Sequence, residues 1–285
     1  MIPMRLDAPA KLNLSLAVTG RRPDGFHELD GVMVLLELAD RLLLLPGCSG
    51  LRVEPLAGDP GDVPVTPGHN LAWRGLLAGL GEEPMSWCLT LEKRIPSAAG
   101  LGGGSSDAAA AWRMGRRAAG DAEEADAVTL AQLGRIGADV PFFAAAVASA
   151  RVTGVGEQVE ELPAPDRGRE VVLVHPPFAL STTAVFAELR QADWSADAAG
   201  GRNDLLAAAL RLRPDLADVL RLTAGAGLEP HLSGSGPTIF GRTDDPERAR
   251  AVAARLERGG LRTTLTRLRS EAASIETQSD ANEDV

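Results

Sequence analysis

The segment Pro96-Ser97-Ala98-Ala99-Gly100-Leu101-Gly102-Gly103-Gly104-Ser105-Ser106-Asp107 constrains this 285-residue chain more than any other. Four glycines in five residues remove the β-carbons that would hold a ligand off the main chain. Two serines and an aspartate follow, and then the helix-forming run Ala108 to Trp112. A glycine-rich loop that feeds a helix N-terminus presents unpaired N–H groups and the positive end of a helix dipole, which together make an anion site. A flexible linker is the competing reading, but linkers do not usually run from an apolar strand into a capped alanine helix. Common phosphate motifs fit poorly. No lysine stands between Gly100 and Ser106, as a Walker A loop requires. The spacing of Gly100, Gly102 and Ser105 approaches a dinucleotide fingerprint, but the preceding Leu89–Pro96 is charged at its end and closed by proline. A buried parallel strand reads as an apolar run there. The loop therefore points to nucleotide phosphate without choosing a family.

The rest of the chain predicts mixed strands and helices. Leu12, Leu14, Leu16 and Val18 alternate in a half-buried strand, and Gly20-Arg-Arg-Pro-Asp-Gly25 forms a turn. Further strands are expected at 32–36, 41–45, 51–54 and 85–95, with a loop over 58–68 and a helix capped by Asn70. Helices follow at 105–118, 129–136 and 141–147, and strands at 149–155 and 170–175. Beyond Pro163-Ala-Pro-Asp-Arg-Gly168 come helices over 182–190, 203–212, 214–223 and 246–259, with strands over 231–241 and 261–268. Without regular βαβ alternation the fold class is α+β. The expected organisation is an N-terminal lobe (1–160), a C-terminal lobe (161–269) and a disordered acidic tail (270–285).

Composition excludes several classes. At 45% hydrophobic residues the chain is globular. Its net charge is −10, but five acids stand in the last fifteen residues, which contain no base. The remaining mild acidity argues against nucleic-acid binding. No apolar run spans a bilayer and no signal-peptide core opens the chain, so a soluble, cytoplasmic protein is expected. Cys48 and Cys88 suit a reducing cytoplasm and lack metal spacing. His69, His175 and His231 have no metal spacing either and read as structural.

Two further elements carry chemistry. His231-Leu-Ser-Gly-Ser-Gly-Pro-Thr-Ile-Phe-Gly241 allows close backbone approach to a ligand or to the first glycine loop, unless it is a hairpin turn. In Gly137-Ala-Asp-Val-Pro-Phe-Phe143, Asp139 is either a helix cap or a carboxylate aimed into a cleft.

In order along the chain stand Pro9-Ala-Lys-Leu-Asn-Leu14, Gly20-Arg-Arg-Pro-Asp-Gly-Phe-His-Glu-Leu29, Lys93-Arg-Ile-Pro followed by the glycine loop, Gly137-Ala-Asp-Val-Pro-Phe-Phe143 and Leu232-Ser-Gly-Ser-Gly-Pro237. This series closely resembles the GHMP kinase superfamily over residues 8–241. The first two motifs point to the branch whose members phosphorylate a CDP-linked methylerythritol.

The resemblance implies a two-lobe α+β kinase fold, with ATP, Mg²⁺ and a small-molecule alcohol in the cleft between lobes. It implies that Pro96, Ser97, Ala98, Ala99, Gly100, Leu101, Gly102, Gly103, Gly104, Ser105 and Ser106 wrap the ATP phosphates. Asp139 matches the catalytic base and Lys11 its charged partner. Asn13, on the same strand face as Lys11, matches a substrate contact. Phe26 and His27 match the cytidine end, with Thr182 and Phe186 beside them, and Asn70, Leu71 and Lys93 match the adenine end. Position 26 carries Phe where the family usually has Tyr, so a ring remains to stack and a phenol hydrogen bond is lost. No protein ligand for the metal and no oligomeric state follow from the resemblance. The rivals are a GHMP kinase for another alcohol and a non-catalytic member that keeps the nucleotide fold.

Overall fold

The computed structural model describes residues 2–55, 63–81, 86–164, 168–197 and 201–277. Strand β1 (Met4–Arg21) and strand β2 (His27–Pro46) form a long antiparallel ribbon around the turn at 22–26. Sequence alternation alone suggested shorter strands. The ribbon absorbs Pro9, Gly20 and other breakers through register shifts at Pro9/Lys11, Asn13/Ser15 and Val18/Gly20. Because β2 runs for 20 residues, its other edge serves two partners. Strand β3 (Gly50–Pro55) lies parallel to β4 (Trp87–Lys93), and β4 pairs with the far half of β2. Strand β5 (Ser149–Gly154) takes the near half of β2, and β6 (Gln158–Glu161) extends it.

Helix α1 (Leu71–Leu80) and helix α2 (Gly103–Ala119) cover this sheet, burying Trp73, Leu76, Ala110, Ala111 and Met114 on Leu42, Leu44, Leu89 and Leu91. Short helices α3 (Ala127–Leu133) and α4 (Val140–Ala144) close its end through Leu130, Phe142 and Phe143.

A second sheet holds β7 (Glu170–His175), β8 (His231–Leu232), β9 (Ile239–Thr243) and β10 (Arg262–Arg267), in the antiparallel order β10-β7-β9-β8. Helices α5 (Thr182–Glu188), α6 (Leu205–Leu212), α7 (Leu216–Ala226) and α8 (Pro246–Arg258) pack on it through Val185, Ala208, Val219 and Val252. The expected single strand over 231–241 is two short strands, with the Ser-Gly-Ser-Gly turn between them. The sheets meet where Leu12 and Leu36 of the first pack with Val171, Leu173 and Phe240 of the second. Ala99 and Leu101 of the glycine loop join that same cluster, so the loop is rooted in both halves.

Two expectations need correction. Residues 270–277 are not a free tail. Ala273 and Ile275 are buried on the first core, Arg113 donates to the Ala273 carbonyl at 2.7 Å, and Glu276–Thr277 (β11) pair with Met4 and Arg5. Two apolar residues in an acidic stretch show no periodicity, yet a vacant strand edge accepts them. Residues 278–285 of the expected tail, 165–167 of the expected lobe boundary, 58–62 of the loop and position 85 of a strand lie outside the described residues. Cys48 and Cys88 are paired as a disulfide, with Cα atoms 5.3 Å apart. The pairing follows from β4 lying beside both β2 and β3, since Cys88 faces Leu45 on one side and Gly50 on the other. Among the described residues no helix is long and apolar enough to cross a membrane.

Candidate active site

A cleft of about 940 Å³ opens between the glycine loop, the β1–β2 turn, α5 and the Ser-Gly-Ser-Gly turn. Its most telling feature is a cation and a carboxylate from opposite walls. Lys11 of β1 is buried, with a side chain only 4% exposed, whereas the Asp139 side chain is 30% exposed; Nζ and Oδ2 lie 3.5 Å apart. Lys11 Nζ also donates to Asn13 Oδ1 at 2.5 Å, so both residues do share a face. The Asn13 amide nitrogen is buried without a partner among the described residues. Asp139 stands at the N-cap position of α4, but its side chain caps no backbone N–H. The carboxylate is therefore held for the cleft and not for the helix.

The loop builds the adjoining wall with its backbone. Gly100, Gly102 and the non-glycine Ala98 adopt positive φ, at +74°, +72° and +51°. Glycine is needed at 102 because a Cβ there would lie 3.0 Å from Lys11 Cγ and from the Phe143 ring. Gly102 also stands at the N-terminus of α2, whose first amides have no acceptor within the helix. Gly103, Gly104 and Ser105 line the cleft there. Ser106 does not: its amide already bonds to Gly102 O, and its buried hydroxyl turns to the other side of α2. The rest of the loop, Pro96 to Leu101, lines the cleft as well.

Beneath the loop sits a buried group whose tertiary pairing the sequence did not reveal. Asp40 Oδ1 accepts the N–H groups of Arg94 and Ile95, the latter at 2.8 Å, while its Oδ2 accepts from Lys93 Nζ. The same ammonium donates to Asp107 Oδ2 of α2 at 2.5 Å. Lys93, expected at the adenine end, thus borders the cleft with its charge committed to two carboxylates. Burial alone would lower the Lys93 pKa, but Asp107 and Asp40 outweigh it and raise it. Burial drives the Asp107 carboxyl up to about 7, with Lys93 opposing and Asp40 adding to the rise. Asn70 also borders the cleft, with its polar atoms engaged: it caps α1 through Ala72 and Trp73 N–H and donates to Pro64 O. Leu71 follows it on the same wall.

The far end of the cleft is aromatic. The His27 and Phe186 rings stack with centroids 5.5 Å apart, and Trp194 meets His27 edge-on at 6.0 Å. Burial, and next the charge of Arg21, lower the His27 pKa and favour its neutral ring. Phe26 is 63% exposed at the turn and lines the cleft, so it is not a core residue behind the Asp-Gly turn. Thr182 shares a 2.8 Å hydrogen bond with Ser235. Gly234 and Ser235 reach the cleft because Asn203 holds the second glycine turn by donating to Leu232 O and Gly234 O. Trp194 and Asn203 were missed in the sequence, where single residues outside a motif carry no signal, whereas Ser235 lies inside the second glycine-rich motif without having been singled out there.

Family models for the GHMP kinase N-terminal domain and the GHMP kinase C-terminal domain match residues 70–146 and 185–260. A 4-diphosphocytidyl-2-C-methyl-D-erythritol kinase of Pelotomaculum thermopropionicum is 38% identical, covering 91% of this chain and 96% of its own length. The chain belongs to the 4-diphosphocytidyl-2-C-methyl-D-erythritol kinase family of the GHMP kinases. Another member, from Paracoccus denitrificans, is 39% identical over 87% of this chain and 90% of its own. A crystal structure of a 4-(cytidine 5'-diphospho)-2C-methyl-D-erythritol kinase superposes with a TM-score of 0.74 at 35% identity, covering 93% of this chain and 98% of the other. A homoserine kinase from Cytophaga hutchinsonii, at 17% identity and TM-score 0.65, shares the fold alone. Membership in this kinase family agrees with an α+β kinase fold built from the two matched regions.

Proposed function

We propose that this protein transfers the γ-phosphoryl group of ATP to the 2-hydroxyl, a tertiary alcohol, of 4-diphosphocytidyl-2-C-methyl-D-erythritol, a step in non-mevalonate isoprenoid precursor synthesis. The observation that carries the reading is the Lys11–Asp139 pair, set in one cleft between a backbone anion cradle and an aromatic end. Phosphoryl transfer asks for positioning and charge stabilisation more than covalent chemistry. A carboxylate is far too weak a base to ionise an alcohol in advance. Asp139 orients the hydroxyl and takes its proton late, while Lys11 spreads the developing negative charge. Asn13, with its unpaired amide N–H beside them, is suited to hold a substrate oxygen.

The residues present fit ATP. The glycine loop lets phosphate oxygens reach main-chain N–H groups, and the first turn of α2 points its dipole at them. They also fit Mg²⁺ arriving with the nucleotide. Such an ion is held largely by phosphate oxygens and water, so it would need little from the protein beyond the open cleft beside the loop. When bound, Mg²⁺ neutralises phosphate charge. His27, Phe26 and Phe186 supply the stacking surfaces and polar edge that a cytosine requires. The N-terminal lobe is taken as 1–160 and the C-terminal lobe as 161–269, and the enzyme is expected in the cytoplasm.

The test is ADP release with CDP-methylerythritol against mevalonate, homoserine and simple sugars. Turnover is expected with the cytidine-linked alcohol alone. Turnover with another alcohol and none with CDP-methylerythritol overturns the substrate. No turnover with any acceptor favours a non-catalytic member.

A further inference from the structure

Among the described residues three lysine or arginine side chains line the cleft, and two of them are paired with carboxylates. Lys11 faces Asp139, and Lys93 is held by Asp40 and Asp107. The third is Arg21. It is the last residue of β1 and pairs with His27 across the ribbon, immediately before the turn. Directly opposite residues of an antiparallel pair present their side chains on one face. The guanidinium therefore stands beside the imidazole at the aromatic end, close enough for its charge to lower the His27 pKa. The neighbouring Arg22 is tied instead to Asp24 at 3.2 Å and to Glu28 at 3.8 Å. Among the described residues no carboxylate pairs with Arg21.

One cradle of loop amides serves one polyphosphate. The second substrate of the proposed reaction carries a diphosphate of its own, between its nucleoside and its alcohol. We infer that Arg21 is the counter-charge for that diphosphate and selects a nucleotide-linked alcohol over a bare one. The inference rests on the proposed substrate. A guanidinium is suited to the task because its planar fork of N–H donors meets two phosphate oxygens at once. Its place next to a base-stacking ring puts charge where the phosphates leave a nucleoside.

Calorimetric titration with cytidine and with CDP, on the full chain, tests this. Arg21→Met is expected to weaken CDP binding by about tenfold, the scale of a lost charge-assisted contact. Cytidine affinity and the melting temperature should hold. The gap between wild type and variant for CDP should narrow in high salt. Arg22→Met, whose charge is already paired, should leave the ratio of CDP to cytidine affinity unchanged. Phe26→Ala should weaken both ligands alike. Unchanged CDP affinity in Arg21→Met, or an equal loss for cytidine, overturns the inference. A wild-type protein that binds neither ligand overturns the cytidine reading itself, and the inference with it.

Discussion

The hydroxyl of Ser233 donates to the carbonyl oxygen of Gly100 at 2.9 Å, joining two glycine-rich segments 133 residues apart. A Cβ on Gly100 would run into the Ser233 carbonyl, and the residue sits at φ +74°. A Cβ on Gly234, across the contact, would lie 3.2 Å from Lys11 Nζ and 3.4 Å from Asn13 Oδ1. The second glycine turn is thus a clamp on the first loop and a wall beside the lysine.

This contact separates two kinds of loop glycine. Gly100→Ala should lower the melting temperature by several degrees, from a clash and a strained φ worth about 1–3 kcal/mol. It should also weaken binding of a non-hydrolysable ATP analogue, because the clamp opens. Gly103 faces the other way, and a Cβ there would lie 3.0 Å from Ile95 Cγ2. Gly103→Val should act by overpacking beneath the loop, again at about 1–3 kcal/mol. An intact melt for Gly103→Val, with ATP binding lost, would show that position 103 answers to phosphate and not to packing.

The buried Lys93 group gives a pH signature. In the folded protein Asp107 holds its proton up to about pH 7, whereas its ordinary value is 3.8. Between those values the folded state binds more protons than the unfolded one. The Asp107 contribution to stability is therefore fully present below about pH 4 and is lost as pH rises through 7. Asp107→Asn removes that slope while leaving an acceptor for Lys93. The melting temperature of wild type minus that of Asp107→Asn should be greater at pH 5 than at pH 8. A difference that is flat or grows with pH contradicts the raised carboxyl.

Truncation after Ser270 should cost several degrees of melting temperature. It removes β11 together with Ala273 and Ile275 and exposes the core they cover, and a fully buried Ile side chain contributes about 1.5–3 kcal/mol. An unchanged melt would mean that the segment only rests on the surface.

Local signals were legible in the sequence where one segment carried the whole feature. The helix after the glycine loop was read nearly in place, over 105–118 against Gly103–Ala119, since loop, N-terminus and alanine run are contiguous, although Gly103 and Gly104 belong to the helix and not to the loop. Strand β7 was read to the residue because its apolar run is buried throughout. Lys11 and Asn13 share a face because two residues separate side chains on one side of a strand. What was not legible depends on tertiary pairing. Asp40 lies 53 residues from Lys93, and nothing in either neighbourhood announces the other. The length of β1 and β2 was hidden because register shifts carry the ribbon through residues that normally end strands. Ser106 looked like its neighbour Ser105, but one step along a helix rotates a side chain by about 100° and sends it away from the cleft.

The most direct measurement of the central claim is kcat for Asp139→Asn in the ADP-release assay, beside its affinity for an ATP analogue. Asparagine keeps the shape and leaves Lys11 without its carboxylate. If Asp139 acts on the acceptor hydroxyl in the transition state, kcat should fall by roughly 10²-fold or more while the analogue still binds. A folded Asp139→Asn protein that turns over CDP-methylerythritol at a near-normal rate would contradict the account.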